Sequence, residues 1–191
     1  MKVEHALRMM LRDRAKTNGS QIVELAIALP LLMVIVVGIM DFGTAFKLKQ
    51  VLNGAAREGG RFASNQTMAD VSEPNPNSVA GIRDAIDTYL AAANVKDCGL
   101  ATAVPNQSGM TWTYTASSAC AGNGTFTLII DRGNALQTAG TPPLTMETTK
   151  IHISYPYQWL FGNVMRLIIP TANYATGVTS ITSDVIMTNL N

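Results

Sequence analysis

The side chains that could do chemistry in this sequence are few and scattered. Cys98 and Cys120 are its two cysteines. A single pair lying beyond an apolar N-terminal run reads as one disulfide of an exported domain, the competing reading being two unrelated buried thiols. Closing that loop would contribute about 3 kcal/mol through the entropy of the unfolded chain. His152 is the only histidine apart from His5 near the N-terminus. A metal cluster or a histidine-based hydrolase would have to be assembled from one imidazole and dispersed acids and serines. The expectation is therefore no enzyme: no catalytic residue, no metal, no cofactor and no small-molecule substrate. Two carboxylates stand in unusual surroundings, since Glu24 and Asp41 bracket sixteen uncharged residues. A carboxylate there is costly unless a cation or a polar boundary meets it. Asp41 reads as a hydrated boundary acid, with Lys47 or a partner protein as the alternative.

The element that positions both acids is the run from Gly19 to Phe46, which exceeds the about 20 apolar residues needed to cross a hydrocarbon core. Ser20 is a candidate N-cap, and Glu24 lies in the first turns, where the helix dipole favours negative charge. Pro30 removes one backbone hydrogen bond and should kink the helix near Ala26. Residues 1–19 form a basic leader that includes Lys2, Arg8, Arg12, Arg14 and Lys16 against Glu4 and Asp13, residues 47–191 are electrically balanced, and the whole chain has a net charge of +1. The leader favours a cytoplasmic N-terminus and an exported head, although Lys47, Lys49, Arg57 and Arg61 pull the other way. Without a Lys/Arg cluster in the head, nucleic-acid binding is disfavoured.

Leu48, Val51, Leu52, Ala55, Ala56, Gly59 and Phe62 continue the helical spacing, giving one helix over residues 20–69. Ala55, Ala56, Gly59 and Gly60 form overlapping pairs of small residues four apart. They could receive a helix from another subunit or pack on the protein's own domain, and the pattern does not choose. Residues 70–191 read as the head. Two prolines, Pro74 and Pro76, break the helix, and Asn77 or Ser78 caps a second one with Ile82, Ala85, Ile86, Tyr89 and Leu90 on one face. Residues 94–109 look irregular. Thr111–Thr115 and Thr125–Ile130 alternate around the turn-forming stretch Ala121-Gly122-Asn123-Gly124 and predict a hairpin. Lys150–Tyr155 and Gly177–Met187 complete about four antiparallel strands. The apolar interval Trp159–Ile169 reads as a short helix on the sheet, or else as a patch against a membrane or partner. The expected fold class is α+β, a long N-terminal transmembrane helix followed by a head with one amphipathic helix on an antiparallel sheet.

Gly19-Ser20-Gln21-Ile22-Val23-Glu24 ahead of an apolar run resembles the processing site of type IV prepilins. In those proteins a membrane-embedded peptidase cuts after the glycine, and the carboxylate becomes the fifth residue of the mature chain. With Pro30, Asp41-Phe42-Gly43 and the block Asn53–Ala63 added, the chain resembles the TadE-like pseudopilins of tight-adherence (Flp) pilus systems. The resemblance covers about the first third of the protein. Leu25 departs from it, because processed members commonly carry an aromatic residue after the glutamate. The resemblance implies a single-pass protein of the bacterial inner membrane with a pilin-like head. It would be cut between Gly19 and Ser20 by a prepilin peptidase, with Glu24 guiding packing against other pilus subunits, and could enter the pili. The alternative from a different class is an uncleaved bitopic protein whose exported head binds or scaffolds in the cell envelope. A third route is cleavage by signal peptidase after Gly43-Thr44-Ala45, but the apolar segment exceeds the roughly 7 to 15 residues of such signals.

Overall fold

The computed structural model describes residues 2–118, 120–137, 139–140, 143–159 and 178–190. The apolar interval after Trp159 lies outside the described residues, so its reading as a helix or a patch is not addressed. The order is α1 (Lys2–Ser64), α2 (Asn77–Ala92), a 3-10 turn at Leu100–Thr102, β1 (Asn106–Ser108), β2 (Thr111–Ala116), a second 3-10 turn at Ala121–Asn123, β3 (Phe126–Gln137), β4 (Thr145–Gln158) and β5 (Val178–Thr188). Two compact units divide the described residues, one ending at Phe42 and the other beginning at Gly43.

Helix α1 does not start at Ser20. It is already helical at Lys2, so Ser20 lies inside it and caps nothing. The reason is propensity: Glu4, Ala6, Leu7, Arg8, Met9, Met10, Leu11 and Arg12 are all good helix formers, which their lack of an apolar stripe concealed. The helix also continues through Pro30.

In the second unit the five strands form one antiparallel sheet in the order β1-β2-β3-β4-β5. The expected hairpin is β2–β3, with Trp112 opposite Ile130 and Tyr114 opposite Leu128. Its connection uses left-handed backbone at Gly122 and Asn123, with φ of 60° and 57°, conformations that glycine and asparagine adopt most readily. The sheet has five strands because β1 emerges from the stretch read as irregular. Its three residues, Asn106, Gln107 and Ser108, are too few and too polar to show the alternation that marks a strand.

Period-two alternation puts Trp112, Tyr114, Phe126, Leu128, Ile130, Ile151, Ile153 and Tyr155 on the inner face, all buried. Against them lie Leu52, Ala55, Ala56 and Ala63 of α1 and Val79, Ile82, Ile86 and Leu90 of α2, forming one core. The disulfide Cys98–Cys120 joins the segment after α2 to the β2–β3 connection. Neither described thiol is free. At the start of α2 the sequence-based cap is replaced. The cap residue is Pro76, with no side-chain hydrogen bond of its own. Asp70 acts instead, its Oδ2 accepting from the Ser78 amide at 2.8 Å and its Oδ1 from the Ser78 hydroxyl at 2.7 Å. Ser78 faces the core and is buried, so it donates to an acid eight residues upstream rather than capping its own helix.

Candidate processing site

Gly19, Ser20 and Glu24 are exposed on α1. A Cβ atom built on Gly19 meets nothing within 4 Å. The fold therefore has room for a side chain at Gly19, and any demand for glycine there comes from an outside partner. Helical backbone cannot enter a peptidase cleft that needs an extended strand, so cleavage would require local unwinding. Thr17, Asn18 and Gly19 are poor helix formers, glycine costing about 1 kcal/mol relative to alanine, and they make this the easiest point to unwind. Beyond it Ile22, Leu25, Ile27, Leu31, Ile35 and Ile39 are exposed. Among the described residues, one helix is long and apolar enough to cross a membrane, the 46 residues Gly19–Ser64. It supports a single-pass membrane protein.

Asp41 is not the hydrated boundary acid read from the sequence. It is 1 % exposed. The position of an acid at the end of an apolar run carries no record of what folds over it, and hydration was the default reading.

The small-residue block at the other end of the segment is packed inside the head. Ala55 and Ala56 are fully buried. A Cβ on Gly59 would lie 2.7 Å from Ile86 Cδ1 and 3.2 Å from Ile151 Cδ1, and one on Gly60 would lie 2.7 Å from Met187 Cγ. The occupants of this face are thus α2, β4 and β5. Beside it Asn53 Oδ1 accepts from the buried Ser183 hydroxyl at 2.6 Å, Thr44 Oγ1 pairs with Tyr157 Oη at 2.7 Å, and Lys49 Nζ donates to the Thr182 carbonyl. The Glu58–Arg61 ion pair sits on the surface, where such pairs contribute little.

Arg132 is a residue that sequence reading missed. It is fully buried. Its Nη2 donates to the carbonyls of Ala63 at 3.4 Å and Gln66 at 3.2 Å, capping the C-terminal end of α1. Burial lowers its pKa, opposed by the charge of Asp70. For Asp70, burial raises the pKa, but the two bonds from Ser78 and the charge of Arg132 outweigh it and hold the carboxyl below its ordinary value. A signal was available: Phe126, Leu128 and Ile130 set the inward parity of β3, and Arg132 is next in that series.

His152 Nδ1 lies 2.9 Å from Asp184 Oδ1 on the polar side of the sheet, with Lys150 Nζ 4.0 Å from the same oxygen. Among the described residues no group of three or more His, Cys, Asp or Glu could hold a metal ion.

Exposed glycine, apolar helix and buried small-residue block form one continuous stretch. Residues 19–61 match the family model described as TadE-like protein. This stretch is similar to TadE-like proteins. It begins at the glycine of the resemblance and ends in the block that α2 and the sheet cover. The match agrees with a minor pilin related to the tight-adherence (Flp) pilus. No curated protein and no solved structure matches the chain.

Proposed function

We propose that this chain is a minor pilin or pseudopilin that takes part in assembling a tight-adherence pilus. The apolar part of α1 holds it in the bacterial inner membrane, with the N-terminus cytoplasmic and the head exported. A prepilin peptidase removes residues 1–19, and the new amine on Ser20 and the carboxylate of Glu24 provide opposite charges that can pair between neighbouring helices within an apolar bundle. The protein's role is organisational; it is a peptidase substrate rather than a catalyst. The observation that carries this reading is the TadE-like match that starts at Gly19, at the head of an exposed apolar helix.

Intact mass tests it. Co-expression with a prepilin peptidase should yield a chain that begins at Ser20, and Gly19→Val should abolish the cut. Because the space around Gly19 is open, this substitution leaves the head's melting temperature unchanged, so loss of cleavage reports on the peptidase alone. A full-length product in both cases would replace this reading with the uncleaved envelope tether.

A further inference from the structure

Within the second unit, α1 from Thr44 onward runs in step with β5. Thr44 pairs with Tyr157 near the end of β4, and Tyr157 lies opposite Thr179 at the start of β5. Farther along, Lys49 donates to the Thr182 carbonyl, Asn53 accepts from the Ser183 hydroxyl, and the Leu190 amide donates to the Ser64 carbonyl at 3.1 Å. At about 1.5 Å per helical residue and about 3.4 Å per strand residue, Lys49 to Ser64 and Thr182 to Leu190 span similar lengths, about 22 and 27 Å. Helix and strand are therefore nearly parallel, and the end of the sheet that carries Tyr157, Trp159 and Thr179 stands level with Thr44.

That level coincides with the outer boundary of the apolar run. About 20 helical residues cross the hydrocarbon core, and counted from Ile22 they reach Asp41. The headgroup layer adds about 5–7 Å, or about four residues of helix, so it covers Thr44 and ends near Phe46. Phe46 is 67 % exposed, and the first lysine beyond the run, Lys47, follows it. Tyr157 and Trp159 are half-buried, with their rings edge to face and 5.0 Å between centroids. Their polar tips are engaged, Tyr157 Oη by Thr44 and Trp159 Nε1 by Thr179 Oγ1 at 3.0 Å. Rings that join an apolar body to a polar tip concentrate at this depth of a bilayer, where both halves are solvated. Thr44, Phe46, Tyr157, Trp159, Val178 and Thr179 carry no charge, so they enter that layer without the cost of burying one.

We propose that this end of the head is a lipid-contacting foot, in which Phe46, Tyr157 and Trp159 sit in the phospholipid headgroup layer on the exported side and hold the end of the sheet on the membrane surface. The occupant is lipid because the foot continues the apolar run at the depth where that run leaves the hydrocarbon. The inference rests on the membrane reading of α1 and does not depend on whether Gly19 is cut.

The test uses the full-length chain in phosphatidylcholine vesicles and reads tryptophan emission. Trp112 and Trp159 are its two tryptophans, and Trp112 is fully buried in the head core. Lipid brominated near the carbonyl end of its acyl chains should quench the wild-type chain, and Trp159→Phe should abolish the quenching. Trp112→Phe leaves Trp159 alone and should lose most of its emission to the same lipid; if that core variant does not fold, the difference between wild type and Trp159→Phe gives the same reading. Lipid brominated near the methyl ends should quench less. Equal quenching of wild type and Trp159→Phe overturns the proposal, as does stronger quenching from the methyl ends. Flotation of the vesicles separates the two readings: a chain that floats with them but is not quenched overturns the foot alone, whereas a chain that stays behind overturns the membrane segment as well.

Discussion

Gly59 of α1 presses its backbone against Ile86 of α2, so that a Cβ on the glycine would fall 2.7 Å from both Cγ1 and Cδ1 of the isoleucine. Ile86 is fully buried and cannot swing away. Gly54, one turn and a half earlier, faces the ring of Tyr89, which is 38 % exposed and free to rotate outward. Two glycines on one helix thus face neighbours of opposite compliance.

Gly59→Ala should therefore destabilise the head. Overpacking costs about 1–3 kcal/mol, of which alanine's better helix propensity returns less than 1. Gly54→Ala should be neutral or slightly stabilising. Paired thermal melts decide it, and equal melting temperatures for the two variants would contradict the packing.

Removal of the Cys98–Cys120 bridge as a double serine variant should cost about 3 kcal/mol, given a separation of 22 residues. The loss should appear as a lower denaturation midpoint. Reductant should bring the wild-type chain to the same midpoint and leave the variant unaffected.

Stability of the head should fall in acid through Asp70. Its folded pKa is depressed, so the contribution is fully present above the unfolded carboxylate value, about 4, and is lost as pH falls through the lower folded value. Asp70→Asn should cost about 1–2 kcal/mol at neutral pH by weakening the support of α2. Denaturant titrations of wild type and variant should converge as pH drops below the carboxylate range.

Arg132→Ala should cost about 3 kcal/mol or more, since it leaves a cavity and strands the carbonyls of Ala63 and Gln66. Arg132→Met fills the space and should cost less. Combined with Asp70→Asn, either change should fall short of the sum of the single losses, because each charge acts partly through the other.

The sequence revealed those parts of the fold that follow from periodicity. Alternation at Thr111–Thr115 and Lys150–Tyr155 and the apolar face of Ile82, Ile86 and Leu90 are local patterns, and the hairpin, the central strands and α2 follow from them. β1 was hidden because its pairing with β2 is supplied by the sheet and not by its own three polar residues. The Asp70–Ser78 cap and the Arg132 clasp join residues separated by a loop or by most of the chain, and no spacing rule reaches that far. Of the candidate site, Gly19, Glu24 and the small-residue block were legible as residue types, whereas the covering of that block by Ile86, Ile151 and Met187 depends on tertiary packing.

The contact of Gly60 with Val185 and Met187 has a consequence for biogenesis. The apolar side of α1 leaves the ribosome before β5 (Val178–Thr188), the strand that closes over it, has been made. Synthesis proceeds at about 5–20 residues per second, so this greasy surface waits for several seconds without its lid. A nascent chain of this kind needs a temporary guardian, and deletion of β5 alone should send the protein to degradation rather than leave a trimmed but working subunit.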